Sequence, residues 1–206
     1  MQTDNQLLNA AQQPKRPQGR WMLLLLFIFF AAPISIVLVM HKLDWHPSGA
    51  SRGHMVMPAK PVAMPEGVRD SEGQLIASGF WKEKWSMVYI AEACDAACTA
   101  RLHEMRQIHM SLSKHIPRVQ RVLITGSADV SALKQKYPDL VVLNQPSAQH
   151  AELMQQFDLP QAPAAGAQRV YFVDPLSFLM MSYPVNTAAA DIRKDLGRLL
   201  AYAWAG

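Results

Sequence analysis

Trp85-Ser86-Met87-Val88-Tyr89-Ile90-Ala91-Glu92-Ala93-Cys94-Asp95-Ala96-Ala97-Cys98 is the stretch from which the rest of the chain is read. Its first seven residues, branched and aromatic, have the composition of a buried strand. Cys98 then opens an apolar series at spacings of three and four, through Leu102, Met105, His109, Leu112 and Ile116, one stripe of a helix that Pro117 closes. Cys94 and Cys98 are the only cysteines of the 206 residues, and both fall at this strand-to-helix junction. Such a turn aims side chains off the end of a sheet, and a helix N-terminus favours thiolate over thiol.

Further strands follow at Val119–Thr125, ended by Gly126, and at Leu140–Leu143, Val170–Val173 and Phe178–Tyr183, with Asp174-Pro175 turning between the last two. Between them, Asp129 or Ser131 is placed to cap a short helix reaching Tyr137, and Ser147 one running through Phe157. Thr187 to Trp204 reads as a final amphipathic helix, and Ser71-Glu72-Gly73-Gln74 as an early hairpin turn. The order β-α-β-α-β-α-β-β-α predicts an α/β domain with a mainly parallel central sheet covered on both faces and one antiparallel hairpin near its end.

Upstream, Trp21–Met40 is an unbroken run of 20 uncharged, mostly apolar residues, long enough as a helix to cross a hydrocarbon core of roughly 30 Å. The run continues past the Ala31-Ala32 pair, which favours an uncleaved anchor over a signal peptide. Lys15, Arg16 and Arg20 crowd its N-terminal flank, against Lys42 and Arg52 on the other, a bias toward an N-terminus inside. The expected order is a cytoplasmic tail (1–20), a transmembrane helix (21–40), a Pro/Met-rich linker (41–65) and an exported domain (66–206), single-pass in a bacterial inner membrane. The periplasm is an oxidising place where a cysteine pair forms a disulfide. Residues 41–206 hold 17 Lys/Arg against 15 Asp/Glu, interspersed, so the main domain is near neutral and no nucleic-acid partner is implied.

Cysteines four apart on a helix have Cα atoms about 6 Å apart, within disulfide range. The pair can cycle between dithiol and disulfide, needing no cofactor, or as two thiolates hold Cu(I), which favours soft sulfur donors. The plain alternative is two small buried apolar residues without reactivity. His54-Met55-Val56-Met57 with Met64 offers an imidazole and three thioethers for Cu(I), although such segments are more often merely flexible. His41 and His46 suit a membrane surface, His109 a core edge and His103 solvent. No G-x-x-x-x-G-K-[ST], H-E-x-x-H, G-x-S-x-G or C-x-x-C is present.

Residues 66–204 resemble the Sco/SenC family, membrane-anchored thioredoxin-fold proteins of cytochrome c oxidase copper-site assembly. The matching features are Asp70 with Gly73, Phe80, Lys84-Trp85, Cys94-Asp95-Ala96-Ala97-Cys98, Leu102 and Val170-Tyr171-Phe172-Val173-Asp174-Pro175. The resemblance implies a thioredoxin-like domain whose Cys94 and Cys98 reduce a partner's disulfide or bind copper. Its partners would be the copper-binding subunit or assembly factors of the oxidase. In that family a proline follows each cysteine, where this chain has Asp95 and Thr99. The family's copper histidine falls, by spacing from Asp174, at Gly166, and no histidine stands between Gln161 and Arg169. The implied member is a divergent one lacking that histidine. A facing cis-proline of this fold would be Pro163. Two other functions fit the same residues, a non-catalytic docking module and a general periplasmic thiol-disulfide oxidoreductase.

Overall fold

The computed structural model describes residues 18–43, 51–160 and 162–202, which fall into two units divided between Ala50 and Ser51. The first contains α1 (Gln18–Lys42), which includes a span of 22 residues, Gly19–Met40, long and apolar enough to cross a membrane. Pro33 lies inside it without ending it. Lys15, Arg16, His46, Gln161 and Trp204 lie outside the described residues, as do 1–17 and 44–50 of the expected tail and linker.

The second unit is built on a six-stranded sheet: β1 (His54–Pro61), β2 (Trp85–Ala91), β3 (Val119–Thr125), β4 (Leu140–Leu143), β5 (Val170–Val173) and β6 (Phe178–Tyr183), in the spatial order β1-β6-β5-β2-β3-β4. β2, β3 and β4 pair in parallel, and β5 and β6 form the expected antiparallel hairpin. Four strands, β2, β3, β4 and β6, therefore point one way, with β1 and β5 against them. The antiparallel pairing of β5 with β2 was not legible in the helical crossovers. After α4 (Ala148–Gln155) the chain returns to the sheet end where that helix began, so β5 starts there and runs back along β2.

Every residue of β2 is buried because the sheet is covered on both faces. Trp85, Met87, Tyr89 and Ala91 face one cluster, with Cys98, Leu102, Met105 and Ile108 of α2 (Ala96–Met110) and Ile192, Leu196 and Leu200 of α5 (Ala189–Tyr202). Val88 and Ile90 face the other, with Leu153 of α4, Phe157, Trp81 and Met64. This is the period-two alternation of a strand shared between two cores.

Three local readings change. The helix expected to Ile116 stops at Met110, and Pro117 sits inside a 3₁₀ turn (Ser113–Arg118) that Ser113 enters at φ +51°. Helix α3 (Ser131–Lys136) has Val130 at its N-cap, while the Asp129 carboxylate accepts the Ser131 amide at 3.0 Å. Ser147 caps α4 as expected, accepting from the His150 amide. Thirdly, within the stretch read as linker, 54–61 form the edge strand β1 on β6, and Val62 and Met64 are buried. The early hairpin is present: Asp70 Oδ1 accepts the amides of Glu72 and Gln74, and Gly73 supplies the positive φ.

β1 is fixed at its start by one carboxylate. Asp195 of α5, 3% exposed, takes the Ser51 hydroxyl and the Arg52 amide at 2.9 Å, and the Gly53 amide and Tyr183 hydroxyl at 3.3 Å, all on Oδ2. Burial, and then this carboxylate, push the Tyr183 hydroxyl far above its ordinary range. A Cβ on Gly53 would stand 2.6 Å from the Tyr183 ring, so the chain enters the sheet where only glycine fits.

Candidate functional site

β2 delivers its last buried residue, Ala91, to the edge of the core, and Glu92–Asp95 turn the chain into α2. Asp95 is the N-cap: its backbone is extended (φ −81°, ψ −168°) and its Oδ1 accepts the Cys98 amide at 2.9 Å. The two sequence-predicted site residues are brought together. Cys94 and Cys98 are joined by a disulfide with Cα atoms 5.0 Å apart. Cys98 is 1% exposed and packed in the core with Tyr89 and Leu102, whereas Cys94 is half-buried on the turn. An incoming thiol therefore meets Cys94 first.

The cross-link closes a loop with a sequence separation of only 4. By chain entropy such a loop contributes about 2 kcal/mol, less than a long-range bridge.

The turn is held from the ends of the neighbouring parallel strands. The Cys94 amide donates to Ser127 Oγ at 2.8 Å, and the Gly126 amide donates to the Glu92 carbonyl at 3.0 Å. A Cβ on Gly126 would lie 2.8 Å from that same carbonyl oxygen. Asn144, just beyond β4, donates to the carbonyls of Ser127 and Ala128 at 3.1 Å each. Beneath the disulfide, burial raises the Tyr89 pKa, with Arg101 lowering it and Asp95 raising it further. Sequence reading missed Ser127 and Asn144; their one signal was a polar residue one or two places after an apolar strand, where parallel strands end together.

Gly166, where the resemblance places the copper histidine, lies exposed in a 3₁₀ turn (Ala164–Gly166) packed on β2 and brings no ligand. Three histidines of the sheet domain are engaged elsewhere. His109 and His150 are buried, with Nε2 on the carbonyls of Val119 (2.9 Å) and Leu143 (3.1 Å), and exposed His103 pairs with Gln107. Met64 is packed in the core, away from exposed Met55 and Met57, so the three thioethers do not converge. Among the described residues no group of three or more His, Cys, Asp or Glu is arranged to hold a metal ion. The residues present do not fit a Cys₂His copper centre. Pro163 follows a trans peptide, the cis bond among the described residues being Met57–Pro58, and so is not the facing cis-proline.

Comparison with known proteins agrees with this architecture. The family model described as "Transmembrane-like, thioredoxin-like, C-terminal domain" matches residues 85–203. No curated protein matches the sequence. Among solved structures, yeast Sco1 with copper bound is 15% identical, with 69% of this chain and 94% of that one covered at a TM-score of 0.57. Apo Sco1 from Thermus thermophilus is 18% identical, covering 77% and 100%, at 0.56. BsSco, described with a disulfide switch and as a member of the Sco family of cytochrome c oxidase assembly proteins, is 13% identical, covering 72% and 99%, at 0.51. At these identities the likeness is one of fold: the sheet domain has the thioredoxin-like fold of Sco proteins.

Proposed function

The chain belongs to the family of transmembrane-like, thioredoxin-like C-terminal domains, and from that premise we propose that it is a membrane-anchored thiol-disulfide factor for assembly of a respiratory cytochrome c oxidase. The observation that carries the reading is the Cys94–Cys98 disulfide at the mouth of a Sco-like sheet, one sulfur half-exposed and the other buried. Helix α1 anchors the chain with its N-terminus in the cytoplasm, as the flanking Lys/Arg bias favours, and the sheet domain works in the periplasm. In its reduced form the pair attacks a disulfide on an oxidase subunit: one thiolate forms a mixed disulfide, the other displaces the client's sulfur, and the client leaves as a dithiol. Thiol exchange needs no third ligand, which is why it is preferred here over copper delivery.

The test replaces both cysteines by serine in the source cells and measures oxidase activity under copper limitation. Loss of activity, restored by the parent chain, is expected. Unchanged activity would remove the thiol role and leave docking. Trapping mixed disulfides with a single-cysteine chain separates one oxidase client from the many clients of a general oxidoreductase.

A further inference from the structure

We infer that Asp95 sets the direction of the exchange: its carboxylate at the cap of α2 holds the Cys94–Cys98 pair toward the disulfide, which makes the reduced pair a donor of electrons rather than an oxidant. The inference rests on the thiol-exchange reading above and adds the sign of its potential.

A helix N-terminus ordinarily stabilises a thiolate in two ways, through the positive end of its dipole and through amides of the first turn left without helical partners. Here a carboxylate stands at that end of the dipole and takes one of those amides. Asp95 sits between the two cysteines in sequence, and its Oδ1 takes the amide of Cys98 itself at 2.9 Å. A sulfur leaving either end of the bond as thiolate then finds a first-turn amide occupied and a negative charge beside it. At Tyr89, in the same core cluster, burial raises the pKa, Arg101 lowers it, and this carboxylate adds a smaller upward push.

Other charges face this corner. Glu92, on the turn after β2, is exposed and adds to the negative side. Asp129, beyond β3, is committed to Ser131. Arg101 of α2 is the opposing cation, but its Nη1 is bound to the Glu104 carboxylate at 2.7 Å and its Nη2 to the Val185 carbonyl. That pairing draws Arg101 toward Glu104, whereas Asp95 is the charge bonded to the amide of Cys98 itself.

A thiolate RS⁻ attacks one sulfur of the bond, and the other sulfur departs as thiolate and takes up a proton. A second RS⁻ then releases the remaining cysteine, so that two RSH become RSSR and the disulfide becomes two thiols. With Asp95 present the reduced pair is held as neutral thiols; without that charge a sulfur persists in part as thiolate, which stabilises the reduced side, so Asp95 keeps the equilibrium toward the intramolecular bond.

The test is the equilibrium of the full-length chain in detergent with glutathione at pH 7, read by alkylation and mass spectrometry. In Asp95→Asn and Asp95→Ser an oxygen still caps α2 while the charge is gone, so the fold is kept. The constant favouring the disulfide is expected to fall about tenfold in both, which is about 30 mV for a two-electron couple. Glu92→Gln, removing a carboxylate off the cap, should change it less than twofold. A fall of at least threefold in both Asp95 variants sustains the inference; a smaller fall, no change or a rise overturns it. The measurement needs no oxidase, so its failure is distinct from failure of the assembly role.

Discussion

Removing the Asp195 carboxylate is expected to cost the sheet domain about 3 kcal/mol and to loosen β1 before anything else. In Asp195→Ala the Tyr183 hydroxyl, on a side chain with no exposure, loses its carboxylate acceptor, a penalty of about 1–3 kcal/mol for a buried unsatisfied group. The amides of Arg52 and Gly53 and the Ser51 hydroxyl lose a charged acceptor as well, but they lie at the rim, where water replaces it for a net of about 1 kcal/mol. Asp195→Asn keeps the volume and one oxygen and should lose about 1 kcal/mol. The assay is urea unfolding of the full-length chain in detergent, followed by the fluorescence of Trp81 and Trp85, both nearly fully buried. Hydrogen exchange at residues 52–61 should rise before that of β2 and β3. If Asp195→Ala unfolds within 1 kcal/mol of the parent and residues 52–53 stay protected, the account of how β1 is held is wrong.

Three further outcomes follow from the geometry. Gly126→Ala drives a Cβ to 2.8 Å from the Glu92 carbonyl and should cost about 1–3 kcal/mol in unfolding measurements, whereas Gly79→Ala, 3.9 Å from the nearest side-chain carbon, should cost little. At Asp139 burial works against ionisation, but the Arg121 guanidinium at 2.7 Å, with a smaller contribution from His109, outweighs it and holds the carboxyl below its usual range. Its stabilisation is thus present above about pH 4 and lost as pH falls through the lowered value. Asp139→Asn should flatten that acid limb and cost about 2 kcal/mol at neutral pH, for Arg121 is fully buried while half-exposed Asp139 shares its charge with water. Gly166→His meets no atom within 4 Å of the new Cβ and should leave stability unchanged. It should also raise the affinity of the reduced chain for Cu(I) at least tenfold in chelator competition, and an unchanged affinity would show that this turn does not face the cysteines.

The elements carried by long apolar patterns were legible from the residues. Trp85–Ala91, Val119–Thr125 and Phe178–Tyr183 are strands with the expected bounds, and Leu102, Met105 and His109 lie on the buried stripe of α2. What failed depended on partners distant in sequence. β1 carries Pro58 and Pro61, and six of its eight residues are exposed, so nothing local marks it as a strand; pairing with β6 and the Asp195 contacts make it one. Pro117 read as a helix stop, but the helix had ended seven residues earlier, where Ser111 takes the terminal turn and Ser113 a positive φ. At the site, the cysteine spacing revealed the pair. Asp95 was visible as a departure from the Sco pattern, but that its oxygen takes the Cys98 amide in the first turn of α2 needed the backbone geometry. Ser127 reaches Cys94 across 33 residues of chain, a contact that only parallel pairing of β2 with β3 creates.

A redox titration of the full-length chain tests the central claim most directly: Cys94 and Cys98 are alkylated and counted across buffers from oxidising to strongly reducing while tryptophan fluorescence reports the fold. The account predicts one reversible two-electron transition, with the fluorescence native at both ends. A pair that stays oxidised under strong reductant, or that opens only as the domain unfolds, would contradict it.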